Sequence, residues 1–87
     1  MIKEYILEDL KGNIITGNVI KWIDKDYNMS DNIAIGKSCI VDPQFGNARA
    51  FVSEPVESII EANSASLKFK TKSHVYVLIE NIQHILL

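Results

Sequence analysis

Arg49 is the only arginine of the 87-residue chain, and it alternates onto the same face as Phe51. Lys68, Lys70 and Lys72 share one face of a period-two segment, and Tyr76 lies in the apolar run that follows. A cationic side chain beside an aromatic ring can clamp a phosphate through charge-assisted hydrogen bonds while the ring stacks on a base. Arg49, Phe51, Lys70, Lys72 and Tyr76 are therefore the candidate ligand-binding residues. The competing reading is that they only solubilise an exposed sheet face.

Catalysis needs a nucleophile with a base, a metal cluster, or paired carboxylates. His74 and His84 are ten residues apart, with no Cys or Asp at ligand spacing. Glu57 and Glu61 are four apart but have lysine partners in the expected hairpin, which makes them a salt-bridged outer face. Gly36-Lys37-Ser38 has the last three residues of a phosphate-binding loop, but the upstream glycine is missing and a strand follows. The acidic stretch from Asp24 to Asn32 lacks the glycine and terminal glutamate of an EF-hand. Nothing points to an enzyme, a metal or a cofactor.

The elements that must hold these residues centre on residues 48–80. Across residues 56–62, Val56, Ser58, Ile60 and Ala62 fall on one face, and Glu57, Ile59 and Glu61 on the other. Across residues 67–73, Leu67, Phe69 and Thr71 oppose Lys68, Lys70 and Lys72. Period two is the strand signature. Asn63-Ser64-Ala65-Ser66 is a polar break of hairpin length. Pairing Ala62 with Leu67 puts Ile60 opposite Phe69, Glu61 opposite Lys68 and Glu57 opposite Lys72, matching apolar to apolar and acid to base. A helix over 56–62 is the alternative, with Pro55 at its start.

Elsewhere, residues 2–10 are read as a strand, because Lys11-Gly12-Asn13 makes a turn into the next segment. Residues 14–23 are rich in β-branched side chains and are interrupted at Gly17, a place for a bulge or sharp bend. Residues 33–41 form another strand candidate, and 42–47 turn the chain, with Phe45 in the turn. Pro55 sets a strand boundary. The apolar run 75–79 has the pattern of a buried central strand. Asn81-Ile82-Gln83 is read as one helical turn, and the apolar end, His84 to Leu87, is expected to pair with the sheet or a neighbouring subunit. Short strands between turn signals predict one all-β domain over 1–87. It would be a small antiparallel barrel or sandwich, SH3-like or Sm-like, of about six to seven strands.

A net charge near −2 argues against a general nucleic-acid or membrane binder. Cys39 is the only cysteine, so no internal disulfide can form, which favours a reducing compartment. No signal peptide or run of membrane-spanning length is visible. A cytoplasmic protein is expected. A domain this small is marginal alone, and a homo-oligomer is expected.

Two resemblances bear on function. Gly12, Gly17, Asp24 and Asn28 resemble the first signature of Sm-like proteins, with one extra residue between Gly17 and Asp24. Ile79-Glu80-Asn81 stands where the second signature would carry Ile-Arg-Gly. This implies a structural or RNA-interaction module. Residues 51–56, Phe-Val-Ser-Glu-Pro-Val, followed by 71–76, Thr-Lys-Ser-His-Val-Tyr, are similar to a pattern of small phage and mobile-element proteins. That group includes phage anti-defence proteins that sequester cyclic nucleotide signals. Glu54 replaces a serine of that pattern, and Ser73-His74 replace Asn-Ser. The resemblance implies a non-enzymatic protein that antagonises a host defence by binding a nucleotide ligand or a host defence protein. The Sm-like or SH3-like structural or nucleic-acid interaction module, with RNA as its partner, is the alternative.

Overall fold

The computed structural model describes residues 2–42, 49–63 and 66–83. Nine antiparallel strands are present among them: β1 (Ile2–Asp9), β2 (Ile14–Gly17), β3 (Val19–Ile23), β4 (Met29–Ser30), β5 (Ser38–Asp42), β6 (Phe51–Val52), β7 (Ser58–Ala62), β8 (Ser66–Lys70) and β9 (Val75–Gln83). They form a five-stranded sheet in the order β2-β1-β9-β8-β7 and a four-stranded sheet in the order β4-β3-β5-β6. The all-β expectation holds, as a sandwich of two sheets rather than a closed barrel. The strand number exceeds the expected six to seven. Two strands, β4 and β6, are only two residues long, and the segment 14–23 divides into two. Among the described residues no helix is long and apolar enough to cross a membrane.

The division of 14–23 is the hinge of the fold. Gly17 ends β2 in the first sheet, and the chain bends at Asn18 to begin β3 in the second. The Asn18 amide donates to the Asp42 carbonyl at 3.0 Å. A Cβ on Gly17 would lie 2.7 Å from Val41 Cγ1 and 3.0 Å from the Asp42 carbonyl oxygen, so only glycine lets the strands approach here. The first turn closes as expected. Gly12 takes φ +91°, and the Asp9 carboxylate accepts from the Lys11 and Asn13 amides.

The hairpin keeps part of its expected register. Ala62 faces Leu67 and Glu61 faces Lys68, but Ile59, not Ile60, faces Phe69. A β-bulge at Ile60 inserts one extra residue. Beyond it Ser58 faces Lys70, and the Glu57 amide donates to the Lys70 carbonyl, so Glu57 does not oppose Lys72.

Three further expectations are corrected. Asn81-Ile82-Gln83 is not a helical turn. It continues β9, because β1 runs alongside it and pairs down to Ile2↔Gln83. Residues 33–37 are a turn rather than strand, with Gly36 at φ +92° and β5 beginning at Ser38. The 75–79 run is central in its sheet, but only one of its faces is covered: Tyr76 and Leu78 are buried, while Ile79 is exposed on the outside. The expectations for Phe45 and for residues 84–87 lie outside the described residues.

The core fills the space between the sheets. Leu7, Phe69, Tyr76 and Leu78 come from the first sheet, and Trp22, Cys39 and Val41 from the second. Val56, between β6 and β7, completes it. Trp22 meets Phe69 edge-on across the gap, with ring centroids 5.4 Å apart. Cys39 is fully buried, and desolvation pushes its thiol up to about 12, so it behaves as a small apolar side chain.

Candidate functional site

Alternation along β8 decides where the candidate residues go. Phe69 is buried and pairs with Tyr76, so both rings point between the sheets. Lys70, next in sequence, points outward and is exposed. Phe51, on β6, also points inward and meets Tyr76 across the gap at 6.2 Å. The structure therefore brings Phe51 and Tyr76 together but sets Lys70 on the opposite face of the sheet from them. Lys72 is exposed in the turn after β8, and Arg49 is exposed in the chain leading to β6. Tyr76 is only 6% exposed. Its ring is already engaged by Phe51, by Phe69 at 5.4 Å and by a stacked His74 at 5.4 Å. It offers no open face to a ligand base.

The two short segments, 51–56 and 71–76, do form one physical unit. The Glu54 carboxylate accepts from the Thr71 hydroxyl at 3.2 Å, the Ser73 amide at 3.1 Å and the Ser73 hydroxyl at 3.3 Å. His74 Nδ1 lies 3.6 Å from the same carboxylate. Partial burial pushes the Glu54 carboxyl up, but these donors outweigh it and hold the group below its ordinary value. The Tyr76 hydroxyl is pushed up by burial and by the charges of Asp9 and Glu54. This cluster ties the β6–β7 connection to the turn before β9. Apart from His74 Nδ1, which is buried without a hydrogen-bond partner, its polar groups bond one another, as a structural clasp does.

A cleft of about 410 Å³ lies elsewhere between the sheets. Its first wall is Tyr5 of β1, Leu67 of β8 and Leu78 of β9, all inward-facing positions. Its second wall is Ile20 and Trp22 of β3. Asp31, Asn32 and Ile33, following β4, close one side. Asp31 is ion-paired with Lys21, whose side chain leaves the outer face of β3 and does not line the cleft. The walls can strip water from a flat ring, and the lining offers a carboxylate, Asp31, and an amide, Asn32. Ligand pockets combine these features, an apolar lining with a few placed polar groups.

Sequence reasoning passed over Tyr5, Trp22, Lys21, Asp31 and Asn32 as site residues. They lie in separate segments, and only the sheet topology brings them together. The one signal in the chain was Trp22, the single tryptophan. Among the described residues, no group of three His, Cys, Asp or Glu side chains could hold a metal ion. No family model, curated protein or solved structure matches the chain.

Proposed function

We propose that this chain is a non-catalytic binding module that captures a nucleotide-class ligand in the cleft between its sheets. The resemblance of residues 51–56 and 71–76 suggests the setting, a phage or mobile-element protein that blunts a host defence by sequestering its cytoplasmic nucleotide signal. The observation that supports the reading is the ligand-sized cleft lined by Asp31 and Asn32, with Lys21 ion-paired to Asp31 from the outer face of β3. A nucleotide presents matching chemistry. Its base suits the half-buried apolar walls Tyr5, Ile20 and Leu67, its ribose hydroxyls suit the Asp31 carboxylate, and its phosphate would meet the Lys21 ammonium paired to Asp31 from the outer face of β3.

Trp22 lines the cleft and is the only tryptophan, so its fluorescence reports on occupancy directly. The test is fluorescence titration and calorimetry against ADP-ribose derivatives, cyclic dinucleotides and single-stranded RNA. One nucleotide class is expected to bind one per chain and change Trp22 emission. Lys21→Ala and Asp31→Ala are each expected to weaken it by roughly ten- to a hundredfold, the usual loss for a charged hydrogen bond. Arg49→Ala should bind as the parent does. If no nucleotide perturbs Trp22, or if the Asp31→Ala protein binds unchanged, the proposal fails. Binding of RNA alone, weakening steeply with salt, would put the Sm-like reading in its place.

A further inference from the structure

The outer face of the second sheet carries an apolar groove that the sandwich itself does not use. Trp22, Cys39, Val41 and Phe51 face inward, so their neighbours Ile23, Ile40 and Val52 face outward across β3, β5 and β6. With Pro55 and Tyr27 they line a groove of about 390 Å³. Tyr27 is 84% exposed and Val52 55%, and Met29 and Ile35 are exposed beside them. Solvated sheet faces ordinarily alternate to polar residues, and a contiguous apolar patch on a small protein marks an interaction site.

Tyr27 is held there by its turn. Its φ is +66°, the only positive value among described residues other than glycine. The Asp24 carboxylate fixes the turn by accepting from the Asp26 amide at 2.8 Å and the Asn28 amide at 3.0 Å. A bulky aromatic in this region is costly where glycine or asparagine would serve.

We propose that this face docks a second copy of the same chain about a two-fold axis. A two-fold interface needs one patch that is complementary to itself. This patch carries a knob, Tyr27, on the rim of its own hole, the groove over Ile23, Ile40 and Val52. The rim also carries both signs of charge, Lys25 between Asp24 and Asp26. A partner of one charge would meet a like charge on part of that rim, whereas a rotated copy can set Lys25 against acid. An 87-residue domain also buries little surface alone and gains from such packing. The groove shares no lining residue with the cleft between the sheets, so dimerisation and nucleotide capture can fail independently.

The experiment is sedimentation equilibrium on the full chain across the micromolar range. A reversible dimer of the 9.8 kDa chain is expected. Tyr27→Ser and Val52→Ser should each raise the dimer dissociation constant at least roughly tenfold, as loss of a central anchor does. Both side chains are exposed, so circular dichroism should stay that of the parent. Lys70→Ser, on the outer face of the other sheet, should leave the dimer intact. A parent that stays monomeric throughout overturns the proposal. So does a dimer that survives both groove substitutions, or one abolished by ending the chain at Gln83 but not by Tyr27→Ser.

Discussion

Glu54 is the residue on which the two sheets' connections converge. Its carboxylate holds Thr71 and Ser73 and sits beside His74. The donors keep its folded-state value below the ordinary 4.5. A carboxyl depressed on folding contributes stability that is fully present above its unfolded value and is lost as pH falls through its folded value. Asp9, whose carboxyl is lowered chiefly by the Asn13 side chain, contributes with the same sign. The melting temperature should therefore fall on acidification below about pH 5. Glu54→Gln should lower it at neutral pH, and the gap between the two proteins should close at the acid end. Parallel melting curves from neutral to acid pH would show that the Glu54 charge contributes nothing. Gly17 makes a sharper demand. Gly17→Ala drives a methyl to 2.7 Å from Val41 Cγ1 and against the Asp42 carbonyl, so either the hinge or the core must shift. Overpacking of this kind typically costs about 1–3 kcal/mol, measurable by urea denaturation. An unchanged midpoint would mean that the β2–β3 bend yields freely.

Elements show where sequence alternation is informative and where it stops. The half of the hairpin nearest its loop, Ala62↔Leu67 and Glu61↔Lys68, was legible because matching acid to base selects that register even on the exposed strand β7. The bulge was not legible. Ile59 and Ile60 are 40% and 51% exposed on an edge strand, so exchanging them alters burial little and the pattern cannot choose between them. The end of β9 was misread because strand length there is set by β1, a partner seventy or more residues away in the chain. The same reason hid the cleft, whose walls come from β1, β3, β8 and β9. It also split the expected binding surface. Period two correctly placed the lysines opposite Phe69, but only pairing shows that Tyr76 shares the Phe69 face. A bulge on an edge also has a use, since it spoils the edge as a template for other chains. Deleting Ile60 removes the extra residue while leaving Ile59↔Phe69 and Glu61↔Lys68 in register. The expected result is a protein of near-parental melting temperature that aggregates faster on incubation. A large drop in melting temperature with no rise in aggregation would mean the bulge serves packing instead.

At the scale of the whole molecule, both sheets depend on one shared set of rings. Phe69 is fully buried and lies against Trp22 of the opposite sheet and Tyr76 of its own, each at 5.4 Å. Tyr76 in turn meets Phe51 across the gap at 6.2 Å. Neither sheet has another means of burying its inner face, so the two should unfold together. Trp22 belongs to the second sheet, whereas far-UV circular dichroism reports on all the strands. Tryptophan fluorescence and circular dichroism should therefore give one coincident denaturation curve, the mark of a two-state domain. Phe69→Ala removes the ring that both sheets share. Such a truncation costs about 3–5 kcal/mol, against a total stability typically about 5–15 kcal/mol. The variant should denature at much lower urea while its two curves still coincide. If the fluorescence transition instead separated from the dichroism transition, the second sheet would be opening while the first stayed folded. Trp22–Phe69 would then be a contact between two independent units rather than the centre of one core.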